Sequence, residues 1–144
     1  MVFKKMVFKK IALISLCLLS SIVIADDCIL PDNLNKKQIL FLVSEVYTPT
    51  NPDAGSVIQL NFTDKKIVST KLIKGILSQG QYEYEIIAPG VALLSVKLTE
   101  GDDRAHFRTV MMCENDYSGM YIFSQSEGII EPSKRQNTGS YIIE

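Results

Sequence analysis

The residues best suited to nucleophilic or metal chemistry are three cysteines and a single histidine. A catalytic cysteine needs a histidine within hydrogen-bond reach, but His106 and Cys113 stand seven positions apart in what we expect to be one strand. A zinc site needs four closely spaced ligands, and the sequence offers no such set. Met111 and Met112 are soft copper ligands, yet neighbouring residues of a strand point to opposite faces. We therefore predict no catalytic residue, no metal site and no cofactor.

Cys28 and Cys113 are better explained as a disulfide. Cys17 lies in an apolar N-terminal run, and cleavage of that run as an export signal leaves an even number of cysteines in an oxidising compartment. A lipid anchor on Cys28 is the competing interpretation, but it requires a small residue where the sequence has Asp27. A Cys28–Cys113 disulfide would close most of the domain into one loop, a stabilisation of roughly 4 kcal/mol in the chain-entropy model.

Tyr82 and Tyr84 are the candidate ligand-binding residues. In the alternating segment "GQYEYEII" they lie on one face with Ile86, while Glu83 and Glu85 lie on the other face and are expected to be exposed. The two hydroxyls could bind a ligand in a cavity, or the two rings could simply anchor the sheet. The sequence leaves both interpretations open.

A second group of ionisable residues lies at 100–106, "EGDDRAH". Paired carboxylates beside a histidine suit acid–base chemistry or calcium binding. A calcium loop, however, needs more oxygen ligands at alternating positions. We interpret this segment as a solvated hairpin tip.

Residues 1–25 have the pattern of a secretory signal peptide. Four lysines precede an apolar run of about 15 residues, shorter than the roughly 20 of a membrane-spanning helix. Val23 and Ala25 suit a signal-peptidase cut after residue 25. The alternative is a retained N-terminal anchor. We predict a signal peptide at 1–25, one domain at 26–144, and a periplasmic or secreted protein with no stable membrane anchor after cleavage.

The charge of the predicted mature chain limits its partners. Its 119 residues are enough for one domain with its own core. It keeps 11 basic residues against 16 acidic ones, a net charge of −5, and it has no basic run longer than two residues. Charge therefore argues against nucleic acid and against an anionic membrane surface as partners.

Short alternating segments between turn residues predict an all-β domain. We expect strands within 38–47, 56–62, 67–77, 80–87, 91–98, 105–113, 120–125 and 139–144, with the longest irregular stretch at 126–139. The segment before the first strand could begin with a short helical turn capped by Asp32 or Asn33. Strands at this spacing suit an up-and-down barrel or a sandwich. Because the links are short and local, whereas sandwiches tend to use longer crossovers, the pattern favours a single antiparallel, mostly up-and-down barrel of roughly eight strands.

The order of strands and turns is carried by "LNKKQILFLVSEVY", "GSVIQLNFTDKKI", "GQYEYEIIAPGVALLSVKL" and "HFRTVMMCENDYSGMYIF". In this order the chain resembles small exported lipocalin-like (calycin) β-barrels of the MoaF-like type over roughly residues 34–143. The resemblance implies a barrel with an internal cavity and brings no shared catalytic residue. Small periplasmic lysozyme inhibitors are similar in size, export and disulfide use.

These features favour an exported, non-enzymatic β-barrel binding protein that holds a small apolar ligand or none. The alternative is a protein–protein interaction module, namely an inhibitor, immunity or envelope factor that contacts an envelope or extracellular protein through barrel-end loops. The third hypothesis is a small-barrel isomerase or cyclase in which Tyr82, Tyr84 or His106 moves a proton.

Overall fold

The computed structural model describes residues 28–64, 67–72, 77–100, 103–128 and 131–144. Its elements in chain order are β1 (Gln38–Val43), β2 (Val57–Phe62), β3 (Ile67–Leu72), β4 (Leu77–Ala88), β5 (Val91–Glu100), β6 (Asp103–Asn115), β7 (Ser118–Glu127) and β8 (Arg135–Ile143). No helix occurs in the part of the chain that the structure describes. The predicted signal peptide at 1–25 lies outside the described residues.

The strands form one curled, barrel-like antiparallel sheet. Each strand pairs with the next one along the chain, and β1 also pairs with β8, in a register that sets Phe41 opposite Tyr141. Within the described ranges, no helix is long and apolar enough to cross a membrane. The prediction of an all-β antiparallel domain with local connections is confirmed.

The interior of the curled sheet is filled by packed side chains. Phe41 of β1 meets Tyr121 of β7 edge to face, with ring centroids 4.9 Å apart, and Phe62 of β2 meets Tyr82 of β4 at 4.8 Å. Each contact reaches past an intervening strand, and a single buried cluster includes residues of all eight strands. Where these contacts lie, the interior is therefore filled by packed aromatic rings.

Two glycines make room for interior tyrosines. Gly119 pairs with Tyr141 across β7 and β8, and Gly139 pairs with Tyr121 on the same two strands. A Cβ atom on Gly119 would collide with the Met112 carbonyl oxygen and lie 2.8 Å from the Tyr141 hydroxyl oxygen. One on Gly139 would collide with the Leu42 carbonyl oxygen and lie 2.8 Å from the Tyr121 ring. Strands β7 and β8 thus set a glycine opposite a tyrosine at both pairings.

The segment before β1 packs against one end of the sheet. Leu30 and Leu34 are buried in the central cluster, so this segment contributes to the core. Its backbone makes a turn with Lys36 at φ 59°, and the Asn33 side-chain oxygen accepts a hydrogen bond from the Asn35 backbone N–H at 3.1 Å. The expected helical turn is therefore wrong, because Asn33 closes a local turn of its own.

The disulfide joins this segment to β6. Cys28 and Cys113 are bonded, with Cα atoms 6.1 Å apart and 85 positions between them. The turn between β4 and β5 packs beside the bond, since a Cβ atom on Gly90 would lie 3.2 Å from the Cys113 sulfur. The predicted pairing is present, and it agrees with an oxidising, exported location.

Strand β8 begins earlier than the sequence pattern indicates. The stretch 126–139 was expected to be irregular, yet β8 starts at Arg135, and Gln136, Asn137 and Thr138 pair with β7. Polar residues occupy both faces here, so alternation gives no signal. An ion pair of 2.6 Å between Arg135 and Asp53 ties the start of the strand to the β1–β2 loop.

Candidate functional site

The site is a cleft at the sheet end where the N-terminal segment packs. We call it the tyrosine cleft. It encloses about 180 Å³ and is lined by Asp32, Asn33, Leu34, Asn35, Asp64, Tyr82 and Tyr84. The alternation of β4 turns both tyrosines inward, so the two sequence-predicted ligand residues share one site. The N-terminal segment and Asp64, in the turn after β2, supply the opposite wall.

Tyr82 is held firmly. Its hydroxyl is 3.3 Å from both the Asn35 side-chain oxygen and the Thr63 carbonyl oxygen, and it can donate its proton to either. Burial, with a further contribution from the charge of Asp64, raises the pKa of Tyr82 above its ordinary value of 10.0. Its ring contact with Phe62 and its hydrogen bonds give Tyr82 a positioning role in the cleft wall.

Tyr84 has a different environment. Its hydroxyl oxygen is buried and has no hydrogen-bond partner among the residues that the structure describes. Burial raises the pKa of Tyr84 to about 12, with smaller contributions from Tyr141 and Asp32. A buried hydroxyl without a partner costs roughly 1–3 kcal/mol, so this group is ready to accept a hydrogen-bonding ligand or a water molecule.

Tyr141 carries a second such hydroxyl. The side chain is fully buried, and its oxygen likewise finds no partner among the described residues. Burial, followed by the charge of Glu114, raises the pKa of Tyr141 to about 12. Because Tyr141 also contributes to the raised pKa of Tyr84, the two unpartnered phenols are electrostatic neighbours inside the same end of the sheet.

The residues that line the cleft favour a ligand that forms hydrogen bonds and carries no negative charge. The cleft wall presents two carboxylates, from Asp32 and Asp64, and two amides, from Asn33 and Asn35. Among the residues that the structure describes, no basic side chain lines it. Within the described chain no group of three or more His, Cys, Asp or Glu side chains is arranged to hold a metal ion. With pKa values near 12, the phenols of Tyr84 and Tyr141 are neutral hydrogen-bonding groups at neutral pH.

His106 does not join the tyrosines. It lies in β6 opposite Lys97 and Glu127, at a position that alternates with the buried Ala105 and Phe107 and thus faces outward. Gly101 and Asp102 of the expected hairpin tip lie outside the described residues. His106 therefore does not share a pocket with Tyr82 and Tyr84, as the isomerase or cyclase hypothesis requires.

Three parts of the site escaped sequence reasoning. Asn33 and Asn35 belong to a segment expected to be helical, Asp64 follows β2 in a turn, and Tyr141 lies on the last strand. The signals were weak, since Asn and Asp in loops are usually turn formers. Tyr141 lies in the strand predicted at 139–144, and nothing in that segment indicated an unpartnered hydroxyl.

Comparisons of the chain with protein-family models, with curated proteins and with solved structures found no match.

Proposed function

We propose that this protein is an exported, non-enzymatic binding module that takes a small polar ligand in the tyrosine cleft. The observation that carries the proposal is the buried, unpartnered hydroxyl of Tyr84 in the cleft wall. Buried polar groups in folded proteins nearly always have a partner. A ligand that hydrogen-bonds to Tyr84 supplies one.

The proposed ligand is smaller and more polar than a typical lipocalin-like ligand. Pockets for drug-sized molecules enclose about 300–1,000 Å³, whereas the tyrosine cleft encloses about 180 Å³. Asp32 and Asp64 in the wall disfavour an anion, because a bound negative charge would lie beside two carboxylates. The ligand class is therefore a small neutral or cationic molecule with hydrogen-bonding groups.

The proposal includes a fold and a compartment. The fold is a single eight-stranded, up-and-down, lipocalin-like barrel of the MoaF-like type, supported by the local strand pairings and by the pairing of β1 with β8. The compartment is the periplasm or the exterior, supported by the Cys28–Cys113 disulfide. Cleavage after residue 25 is part of the same proposal, and N-terminal sequencing of the exported protein tests it.

Ligand binding is tested by amide NMR titration of the disulfide-bonded protein with three probes: ethanolamine as a small cation, glycerol as a neutral polyol, and acetate as an anion. We expect saturable shifts at residues 32–35 and at Tyr82 and Tyr84 with the cation or the polyol, and none with acetate. Tyr84→Phe should weaken the response. Tyr117→Phe is the matched control, because Tyr117 is 71% exposed and lies outside the cleft.

Two results would overturn this function. One is the lack of any saturable shift at the cleft with all three probes at millimolar concentration. The other is an equal response of the Tyr84→Phe and Tyr117→Phe proteins, which would leave the Tyr84 hydroxyl without a role.

A second candidate function is an interaction module that uses barrel-end loops, as an inhibitor, immunity or envelope factor does. The supporting observation is the exposure of Ile29 and Tyr117 at the disulfide end, where the Ile29 N–H donates to Asp116 at 2.8 Å. Exposed apolar side chains on a fixed loop suit a protein contact. Ile29→Asp should abolish binding to an envelope protein that the wild-type chain binds, without changing the probe titration.

A further inference from the structure

The outer face of β6, β7, β8 and β1 carries a continuous group of apolar side chains. Outward residues that are 37–44% exposed form its centre, namely Leu42, Met112, Met120, Ile122 and Ile142. Half-buried Leu40, Leu93 and Val110 extend it, and Leu93 lies on β5. We call these eight residues the apolar face.

The strand register makes the apolar face continuous. Met112 pairs with Met120, which lies opposite Ser140, which in turn lies opposite Leu42. A neighbouring row runs from Leu93 through Val110 and Ile122 to Thr138. Neither row contains a charged residue, although 22% of the chain is charged. Contiguous apolar patches on soluble proteins mark interaction sites.

Charges lie at the two ends of the apolar face, with opposite signs. At one end are exposed Lys97 of β5 and Arg108 of β6. Exposed Glu127 of β7 shares the row of Lys97 through His106, so the basic charge of this end depends on Arg108. At the other end are exposed Glu114 of β6 and Glu144, which follows β8. Along β6, Arg108 and Glu114 each lie three positions from Met111, so the charge pattern is centred on the face.

We propose that the apolar face binds a second copy of this chain in a two-fold dimer. The two-fold axis lies in the contact plane and runs perpendicular to the strands. Rotation about it places the basic end of one copy opposite the acidic end of the other. The same axis lays β6 over β6 of the second copy, so each Arg108 lies over a Glu114. The face is thus complementary to itself, as a two-fold interface requires, and charge complementarity fixes the register.

The size of the face sets the strength of the dimer. From Arg108 to Glu114 the strand rises about 20 Å, and β5 to β1 spans about 19 Å at ordinary strand spacing. Two such faces bury about 800 Å², below the roughly 1,200 Å² of stable interfaces. The dimer therefore forms weakly and reversibly, within the micromolar-to-millimolar range of chain concentration.

Sedimentation velocity of the disulfide-bonded chain at micromolar to millimolar concentrations tests the dimer. We expect a concentration-dependent dimer for the wild type, and a dissociation constant raised at least about tenfold by Ile122→Lys. Val46→Lys is the matched control, because Val46 is 68% exposed in the β1–β2 loop and does not belong to the face. Circular dichroism of each variant verifies the fold.

A charge exchange tests the register without adding a charge to the face. Arg108→Glu and Glu114→Arg should each weaken the dimer, and the double variant should restore it. The proposal is overturned by a wild-type chain that stays monomeric over the whole range, or by Ile122→Lys and Val46→Lys proteins that dimerise equally. A double variant as weak as the single variants overturns the two-fold arrangement.

Discussion

At the scale of single residues, Tyr82 and Tyr84 show how one strand face can hold two identical side chains in different roles. Tyr82 has acceptors for its hydroxyl and packs on Phe62. Tyr84 has its hydroxyl buried without a partner among the described residues. The first arrangement stabilises the fold, whereas the second costs free energy that a ligand can recover.

Removing each hydroxyl should therefore change stability in opposite directions. Tyr84→Phe deletes an unsatisfied buried group and should raise the free energy of unfolding by about 1 kcal/mol. Tyr82→Phe leaves Asn35 and Thr63 without this donor and should lower it by about 1 kcal/mol. Urea denaturation of the ligand-free protein measures both, with exposed Tyr117→Phe as the neutral control. Equal effects of the first two substitutions would contradict the assignment.

The buried tyrosines also predict the response to alkali. Burial raises the pKa values of Tyr84, Tyr121 and Tyr141 to about 12, while tyrosines in an unfolded chain ionise near pH 10. Between these values the folded state binds more protons than the unfolded state, so the free energy of unfolding falls as pH rises. Below about pH 10 this contribution to stability is complete.

Denaturant titrations at a series of pH values measure this loss, and tyrosinate absorbance follows the ionisation without interference from tryptophan, which the chain lacks. Tyr121→Phe should flatten the pH dependence, since it removes one of the three groups. A free energy of unfolding that stays constant up to pH 12 would show that these hydroxyls are not shielded from water.

At the scale of elements, the turn between β4 and β5 is fitted to the disulfide. Gly90 has φ +69°, a conformation that favours glycine, and its backbone oxygen accepts a hydrogen bond from the Cys113 N–H at 2.9 Å. The space for a side chain is also limited by the Cys113 sulfur. Backbone conformation and packing therefore both select glycine at this position.

Comparison of two glycines separates these causes. Gly90→Ala should lower the free energy of unfolding by about 1–2 kcal/mol. Gly55→Ala is the matched control, because Gly55 has φ +73° and no atom within 4 Å of an added Cβ. Thermal or urea unfolding of both proteins should show the larger loss for Gly90→Ala. An equal loss would mean that only the backbone conformation matters.

The elements also explain what could be predicted from the sequence. Alternation located the inward sets on β5 and β6, where Leu94, Val96, Phe107 and Met111 are all buried, because each strand has one apolar and one wetter face. It failed at Arg135 and beyond, where the strand is polar on both faces. The capping pattern before β1 was also misleading, because Asn33 closes a local turn and Leu34 is buried in the core.

At the scale of the whole molecule, the two proposed surfaces are separate. The tyrosine cleft lies between the N-terminal segment, Asp64 in the turn after β2, and β4. The apolar face lies outside the sheet on β5 to β8 and β1. A ligand and a second copy can therefore bind independently, and a substitution on one surface should leave the other unchanged. Neither row of the apolar face contains a charged residue, so the repulsion between two copies with a predicted mature charge of −5 comes from outside the contact.

The disulfide constrains both the fold and the tyrosine cleft. Because 85 positions separate Cys28 from Cys113, their bond removes much of the freedom of the unfolded chain. The chain-entropy model assigns about 4 kcal/mol to such a loop. The bond also tethers the segment that carries Asp32, Asn33 and Asn35, so its loss should loosen one wall of the tyrosine cleft.

The paired variant Cys28→Ser/Cys113→Ser should therefore lose about 4 kcal/mol of unfolding free energy and show faster amide exchange at residues 30–35 than across β5 and β6. The reduced wild-type protein should behave in the same way, which controls for the serine substitutions. Leu34→Ala gives a contrast, because it weakens the packing of the same segment while the tether is retained. If reduction left both the unfolding midpoint and the exchange at 30–35 unchanged, the N-terminal segment would be held by its packing alone, and Cys28 would have no part in shaping the cleft.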